Sequence, residues 1–258
     1  MRFCVEPVQG VEVSSSHSPA PERPSRRALV ASIAVAVSVL LILLIGIIAS
    51  RTGASQEAST TTTPPGQSAA EEPLDLSRRA AGDPTALGEV DAPVVLIEYA
   101  DYRCPFCGLF SRDTLPSLVD KYVESGDLRI EWRDLPVFGE QSFSAAVAGR
   151  AAGEQDRFWE FNKAVFAEAP KRGHIDLPEE RLLELAQEAG VPDLEKFRND
   201  LQSEELAAAV TNDAQEAASL GATGTPTFLV NDTPLIGAQP LAAFEQAIEG
   251  ELKEAGQR

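Results

Sequence analysis

Two cysteines separated by two residues, Cys104-Pro105-Phe106-Cys107, are the side chains of this 258-residue chain best suited to chemistry. A Cys-x-x-Cys pair either exchanges electrons with other thiols or helps to bind a metal. The apolar run Val94–Ala100 just before it reads as a buried strand, and helical spacing sets in from Phe106 through Leu109 and Phe110. A thiol at that helix start faces unpaired backbone N–H groups and the positive end of the helix dipole. Both favour the thiolate. Pro105 suits the first helical turn, where its missing N–H costs nothing. On this reading Cys104 is the exposed nucleophile, and Cys107, one turn inward, is the sheltered thiol that resolves a mixed disulfide.

Three other readings compete. A zinc site would need about two further N or S ligands, and the chain beyond the pair offers His174 and carboxylates. A static disulfide across so short a loop would restrain little chain and stabilise little. Chance proximity of two core cysteines is the third. The remaining cysteine, Cys4, stands far from the pair, and no disulfide framework can be built from three cysteines.

Two more features bear on the pair. Thr225-Pro226 opens the apolar run Thr227–Val230, and a proline entering a strand belongs at its first position or on an edge. Glu98 lies six residues before Cys104 inside the otherwise apolar Val94–Ala100, where a carboxylate is costly to bury. It either reaches solvent at a strand edge or has a use.

The elements that must hold these residues follow from pattern. Leu128–Leu135 alternates and predicts a second strand, and residues 142–220 read as a helical block rich in Ala, Glu, Leu and Gln. Within the block, Asp176-Leu-Pro-Glu179 has the form of a capping box for a helix that runs to Ala189 and stops at Gly190. Phe158-Trp159-Glu160-Phe161 is expected to serve helix packing, and His174, in a Lys-Arg-Gly-His turn, to be solvated. Thr227–Val230 and Pro234–Ile236 predict a hairpin around Asn231-Asp232, followed by a last helix, Leu241–Lys253. The order is β-α-β, a helical block, then β-β-α.

A strand leading to Cys-Pro-x-Cys at a helix start, with a late Thr-Pro before another strand, resembles the thioredoxin superfamily. The helical block between the halves resembles its DsbA-like branch, and the likeness runs from about Leu74 to the C-terminus. It implies an α/β thioredoxin fold with an inserted helical subdomain. It also implies a cis Pro226 lying against the active-site cysteines, with Thr225, Pro105 and Phe106 lining the path of an extended substrate segment. By the same resemblance Glu98 relays a proton to or from Cys107. The activity implied is thiol–disulfide exchange with exported proteins carrying free thiols, as an oxidase ahead of a reductase. No cofactor beyond the Cys104–Cys107 disulfide is implied, and a DsbB- or VKOR-like membrane protein would reoxidise the pair. The sequence departs from the strongest oxidant of the branch in having Pro-Phe between the cysteines where that enzyme has Pro-His. Phenylalanine offers the Cys104 thiolate neither a charge nor a hydrogen bond. A reductase of the same fold, and a non-enzymatic binding module with a structural disulfide, remain the alternatives.

Residues 28–49 carry no charge and, as a helix at about 1.5 Å per residue, span about 33 Å, enough for a bilayer core. Arg23, Arg26 and Arg27 before the run, against Arg51 after it, predict a cytoplasmic N-terminus for residues 1–27 and export of everything beyond. Residues 50–73 contain no aromatic side chain and no aliphatic one beyond alanine, which predicts a flexible tether. The domain is then 74–258, expected to be a monomer at the outer face of the membrane. A net charge of −18 argues against nucleic acid as a partner.

Overall fold

The computed structural model describes residues 75–256. The apolar run 28–49, the polar segment 50–73 and Cys4 lie outside the described residues. Among the described residues no helix is long and apolar enough to cross a membrane.

Five strands form one sheet in the order β1-β3-β2-β4-β5: β1 Ala86–Leu87, β2 Val94–Ala100, β3 Leu128–Asp134, β4 Thr227–Val230 and β5 Thr233–Ile236. β2 and β3 are parallel, paired from Val94 with Leu128 to Ala100 with Asp134, while β1, β4 and β5 join antiparallel. The β2–β3 crossover holds α1 (Pro105–Asp113), a short α2 (Leu115–Leu118) and a π-helical turn, Val119–Val123. The helical spacing that begins at Phe106 is broken at Thr114 because Pro116 cannot continue the ladder of α1. Between β3 and β4 come α3 (Glu140–Gly153), α4 (Phe158–Ala167), α5 (Glu179–Glu188), α6 (Leu194–Asp200) and α7 (Glu204–Ser219). A final α8, Leu241–Ala255, follows the hairpin.

All seven residues of β2 and all seven of β3 are buried. The alternation of Leu128–Leu135 therefore does not separate core from solvent, as half-buried strands do. Successive side chains point to opposite faces, and here both faces are covered. Val94, Leu96, Leu128 and Ile130 meet Phe110, Leu118, Phe244 and Ile248, while Trp132 meets the aromatic residues of α4. On the opposite face Val95, Ile97 and Tyr99 pack with Leu76 and Ala217, beside the buried Arg129, Glu131 and Arg133.

The proposed capping box is corrected. α5 begins at Glu179 with Pro178 at its N-cap and no side-chain cap bond. A box from Asp176 would put Leu177 in helical geometry directly before a proline, which the pyrrolidine ring disfavours. Leu177 is instead buried, its N–H held by the Gln141 side chain at 3.0 Å. Phe158 and Phe161 are buried in the packing expected of them, and the partly buried Trp159 donates its indole N–H to Ala86 O at 3.3 Å. The hairpin turns at Asn231, which has φ 51° and accepts the Val95 N–H on its side-chain oxygen at 2.9 Å.

Candidate functional site

β2 leaves the sheet centre at Ala100, and the chain turns through Asp101, Tyr102 and Arg103 into α1. Cys104 is the N-cap residue, in extended geometry, and Pro105 opens the first turn. The helix lies close against α4 because residue 108 is glycine: a Cβ there would sit 2.4 Å from the Cβ of Ala169. Both cysteines are free thiols.

Exposure does not distinguish them. Cys104 is 1% exposed and Cys107 0%, which corrects the expectation of an exposed nucleophile. The physical reason is the segment before β4. The Thr225–Pro226 bond is cis, Pro226 is buried, and the Cys104 thiol donates to Thr225 O at 3.3 Å, so the late proline's loop covers the sulfur. Phe106, 56% exposed, is the part of the motif that faces solvent.

Charge distinguishes them sharply. A hydrogen bond from the Cys107 thiol, the Thr225 hydroxyl and the N–H groups of Cys107 and Phe106 bring the Cys104 thiol down from 9.0 to about 6, against the cost of burial. No hydrogen bond engages the buried Thr225 hydroxyl while Cys104 is a thiol, which leaves it available to a thiolate. Burial and the bond it gives to Cys104, together with the negative charges of Cys104 and Glu98, push the Cys107 thiol well up. One sulfur is set up as a thiolate and the other as a proton-holding thiol.

Glu98 is 2% exposed in the central strand, opposite Trp132 on β3 and Phe228 on β4. The solvent-reaching alternative therefore falls. Its Oε1 has no hydrogen-bond partner, and burial first, then the Cys104 thiolate, raise the carboxyl well above the ordinary range. A carboxyl that holds its proton more tightly than an ordinary glutamate sits close enough to both sulfurs for their charges to be felt.

The arrangement has relatives. A thioredoxin family model matches residues 80–250. The chain belongs to the thioredoxin family. A Bacillus anthracis protein named "Probable disulfide bond formation protein D" is 32% identical over 173 residues, 66% of this chain and 78% of that one. Among solved structures, oxidised BdbD from Bacillus subtilis superposes with a TM-score of 0.62 at 29% identity, covering 67% of this chain and 94% of that one. Wolbachia pipientis α-DsbA1 superposes with a TM-score of 0.59 at 26% identity, covering 66% and 92%. The chain is thus a DsbA-like thiol–disulfide oxidoreductase of the thioredoxin superfamily.

The site also depends on the turn that precedes the first cysteine, and here the sequence reading missed two residues. Asp101 is buried. One oxygen accepts the Arg103 N–H at 2.8 Å and the other accepts the N–H groups of Val137 and Phe138 at 2.7 and 3.2 Å. Arg103 donates from Nε to Ile175 O at 2.8 Å and from Nη1 to Phe138 O at 2.7 Å. These bonds tie the active-site turn to the β3–α3 loop and to the α4–α5 loop. An aspartate at a strand end that accepts the N–H two residues on is a turn signal that local pattern could have supplied. Nothing local points to the arginine's distant carbonyls. His174 is exposed as expected but is not remote: it stacks on Phe138 with ring centroids 4.0 Å apart, and its Nδ1 lies 3.1 Å from Arg103 O. Among the described residues no cluster of three or more His, Cys, Asp or Glu that could hold a metal comes together.

Proposed function

We propose that the chain is a membrane-anchored dithiol oxidase acting outside the cytoplasm through Cys104 and Cys107. The observation that carries the direction is the depressed Cys104 thiol, brought to about 6. Stabilising the thiolate stabilises the reduced enzyme, and a reduced form so stabilised makes the disulfide form a stronger oxidant.

A thiolate of the exported substrate attacks Sγ of Cys104 in the Cys104–Cys107 disulfide. The S–S bond breaks, its electron pair goes to Cys107, and a mixed disulfide forms at Cys104. Cys107, buried and ill suited to charge, takes a proton from the Glu98 carboxyl. A second substrate thiolate attacks the substrate sulfur of the mixed disulfide and expels Cys104 as its stable thiolate. The substrate has lost two electrons and gained a disulfide, and the enzyme holds them as a dithiol. A DsbB- or VKOR-like membrane oxidant would take them back. Thr225, with its carbonyl beside Cys104 and its cis bond to Pro226, and Pro105 and Phe106 at the helix start, would line the substrate's path. The apolar run 28–49 would anchor the chain with residues 1–27 inside, and 50–73 would tether the domain near its oxidant. A relative named for disulfide bond formation supports the oxidative direction.

The test is the reduction potential of the full chain in glutathione buffers, with Cys104→Ala as control. A value toward about −120 mV is expected of an oxidase, and one toward about −270 mV would make the protein a thioredoxin-like reductase. Cys104→Ala should form no mixed disulfide and lose all exchange. If the wild type did not equilibrate with glutathione, the disulfide would be structural and a binding module would replace the enzyme.

A further inference from the structure

Against Arg103, the residue before the nucleophile, the α4–α5 loop carries Lys171-Arg172-Gly173-His174. All four residues are exposed, and neither Lys171 nor Arg172 has an ion-pair partner among the described residues. The turn is built rather than loose. Gly173 takes φ +78°, which an L side chain rarely adopts. Immediately after it His174 lies on Phe138 and directs Nδ1 at Arg103 O; a carbonyl can only accept, so that nitrogen carries the proton and Nε2 is left free. Arg103 in turn grips Ile175 O and Phe138 O, and reaches Asp176 at 3.7 Å. Arg103 is the residue before Cys104. The turn that carries two unpaired cations is therefore fastened, through His174, to the residue next to the reacting sulfur.

Their sign runs against the chain's overall balance. The net charge is −18, and exposed carboxylates outnumber exposed cations over the domain. At physiological salt, charges act over about 8 Å, so a peptide at the site feels the nearby turn more than the distant surface. An acidic residue near a substrate cysteine would be repelled from most of the molecule and accepted here. That combination selects a register as well as a partner.

We propose that the Lys171–His174 turn recognises carboxylates flanking the reactive cysteine of the protein substrate, placing acidic thiol segments across Cys104. The proposal rests on the thiol–disulfide reading of Cys104 and names the substrate class of that site. The occupant is an acidic peptide segment. Asp176, two residues beyond the turn, is engaged by Arg103 at 3.7 Å and is paired with that guanidinium rather than with Lys171 or Arg172.

Two cysteine peptides identical except for aspartates or lysines beside the cysteine serve as probes. Each is reacted with the full chain in its disulfide form at low and high salt, alongside dithiothreitol as an uncharged thiol. The aspartate peptide is expected to react about tenfold faster than the lysine peptide at low salt, with the preference collapsing at high salt. Charge reversal by Lys171→Glu with Arg172→Glu, both exposed and outside the redox machinery, should invert the order and leave the dithiothreitol rate unchanged. A faster lysine peptide with the wild type, or a preference indifferent to the reversal, would overturn the recognition proposal alone. Failure of the wild type to oxidise dithiothreitol would overturn the redox reading beneath it.

Discussion

Two glutamates buried in adjoining strands, on opposite faces of one sheet, behave as opposites. Glu131 on β3 pairs in register with Ile97 of β2, one residue before Glu98. Its oxygens accept the N–H groups of Arg78 and Arg79 at 2.9 Å each, Arg129 Nε at 2.8 Å and Arg133 Nη2 at 2.7 Å. Burial raises its carboxyl, and the donors more than offset this, leaving it near about 2. Glu98 has the same burial and an oxygen with no partner. Around Glu131 the protein has assembled cations and amides; around Glu98 it has placed Trp132, Phe228 and two sulfurs. A buried charge that holds the fold together is surrounded by donors, whereas one left short of them is kept for a proton.

The contrast can be broken most severely at Glu131. Glu131→Gln leaves Arg133, fully buried, facing a neutral amide, and is expected to cost about 3–5 kcal/mol in urea unfolding of the full chain. A loss under about 1 kcal/mol would mean that the ion cluster does not hold the sheet. The pH dependence follows from the sign of the shift. The folded carboxyl lies below its ordinary 4.5, so its stabilisation is complete above that value and is lost as pH falls toward about 2.

Glu98→Gln sharpens the other side. Thiol exchange with a substrate dithiol is expected to slow by about 10²-fold, with a changed profile between about pH 5 and 8. An identical rate profile would remove Glu98 from the reaction. Stability runs opposite to that of Glu131. The folded Glu98 carboxyl is raised, so its contribution is full below the ordinary 4.5 and declines as pH rises above it. The glutamine variant should lose that decline and match or exceed the wild type at neutral pH.

The smallest effect is the most diagnostic. In the reduced protein the ultraviolet thiolate signal should appear with a midpoint near about 6 from Cys104, while Cys107 stays silent. Because that value is below the ordinary 9.0, the reduced fold is favoured above pH 9 and loses the benefit as pH falls through about 6. Glu98→Gln should leave the midpoint in place, since glutamine mimics the protonated acid. A downward shift would mean that Glu98 is already ionised when Cys104 titrates.

Much of the site was legible because local rules governed it. Cys104 at a helix start, Pro105 in the first turn, a proline at the mouth of β4 and a hairpin at Asn231 each depend on a few neighbouring residues. What escaped was decided at a distance. The alternation of Leu128–Leu135 suffices to predict β3, but only packing from both sides makes Arg129, Glu131 and Arg133 interior residues. The Asp176 box failed on a proline that local reading passed over. The helical block is not one body against the sheet: α4 packs with the catalytic helix on the face of Trp132, and α7 lies on the face of Tyr99.

The sequence by itself determined that a Cys-Pro-Phe-Cys pair would cap a helix after a buried strand, and that a carboxylate would stand in that strand. Only the tertiary structure decided that both sulfurs are covered, that Thr225 is what covers one of them, and that His174 returns to the residue beside Cys104. Those facts join positions far apart in the chain, and no periodicity or propensity encodes such a meeting. Burial sets the cost of each charge, and burial exists only once the distant segments have closed on one another.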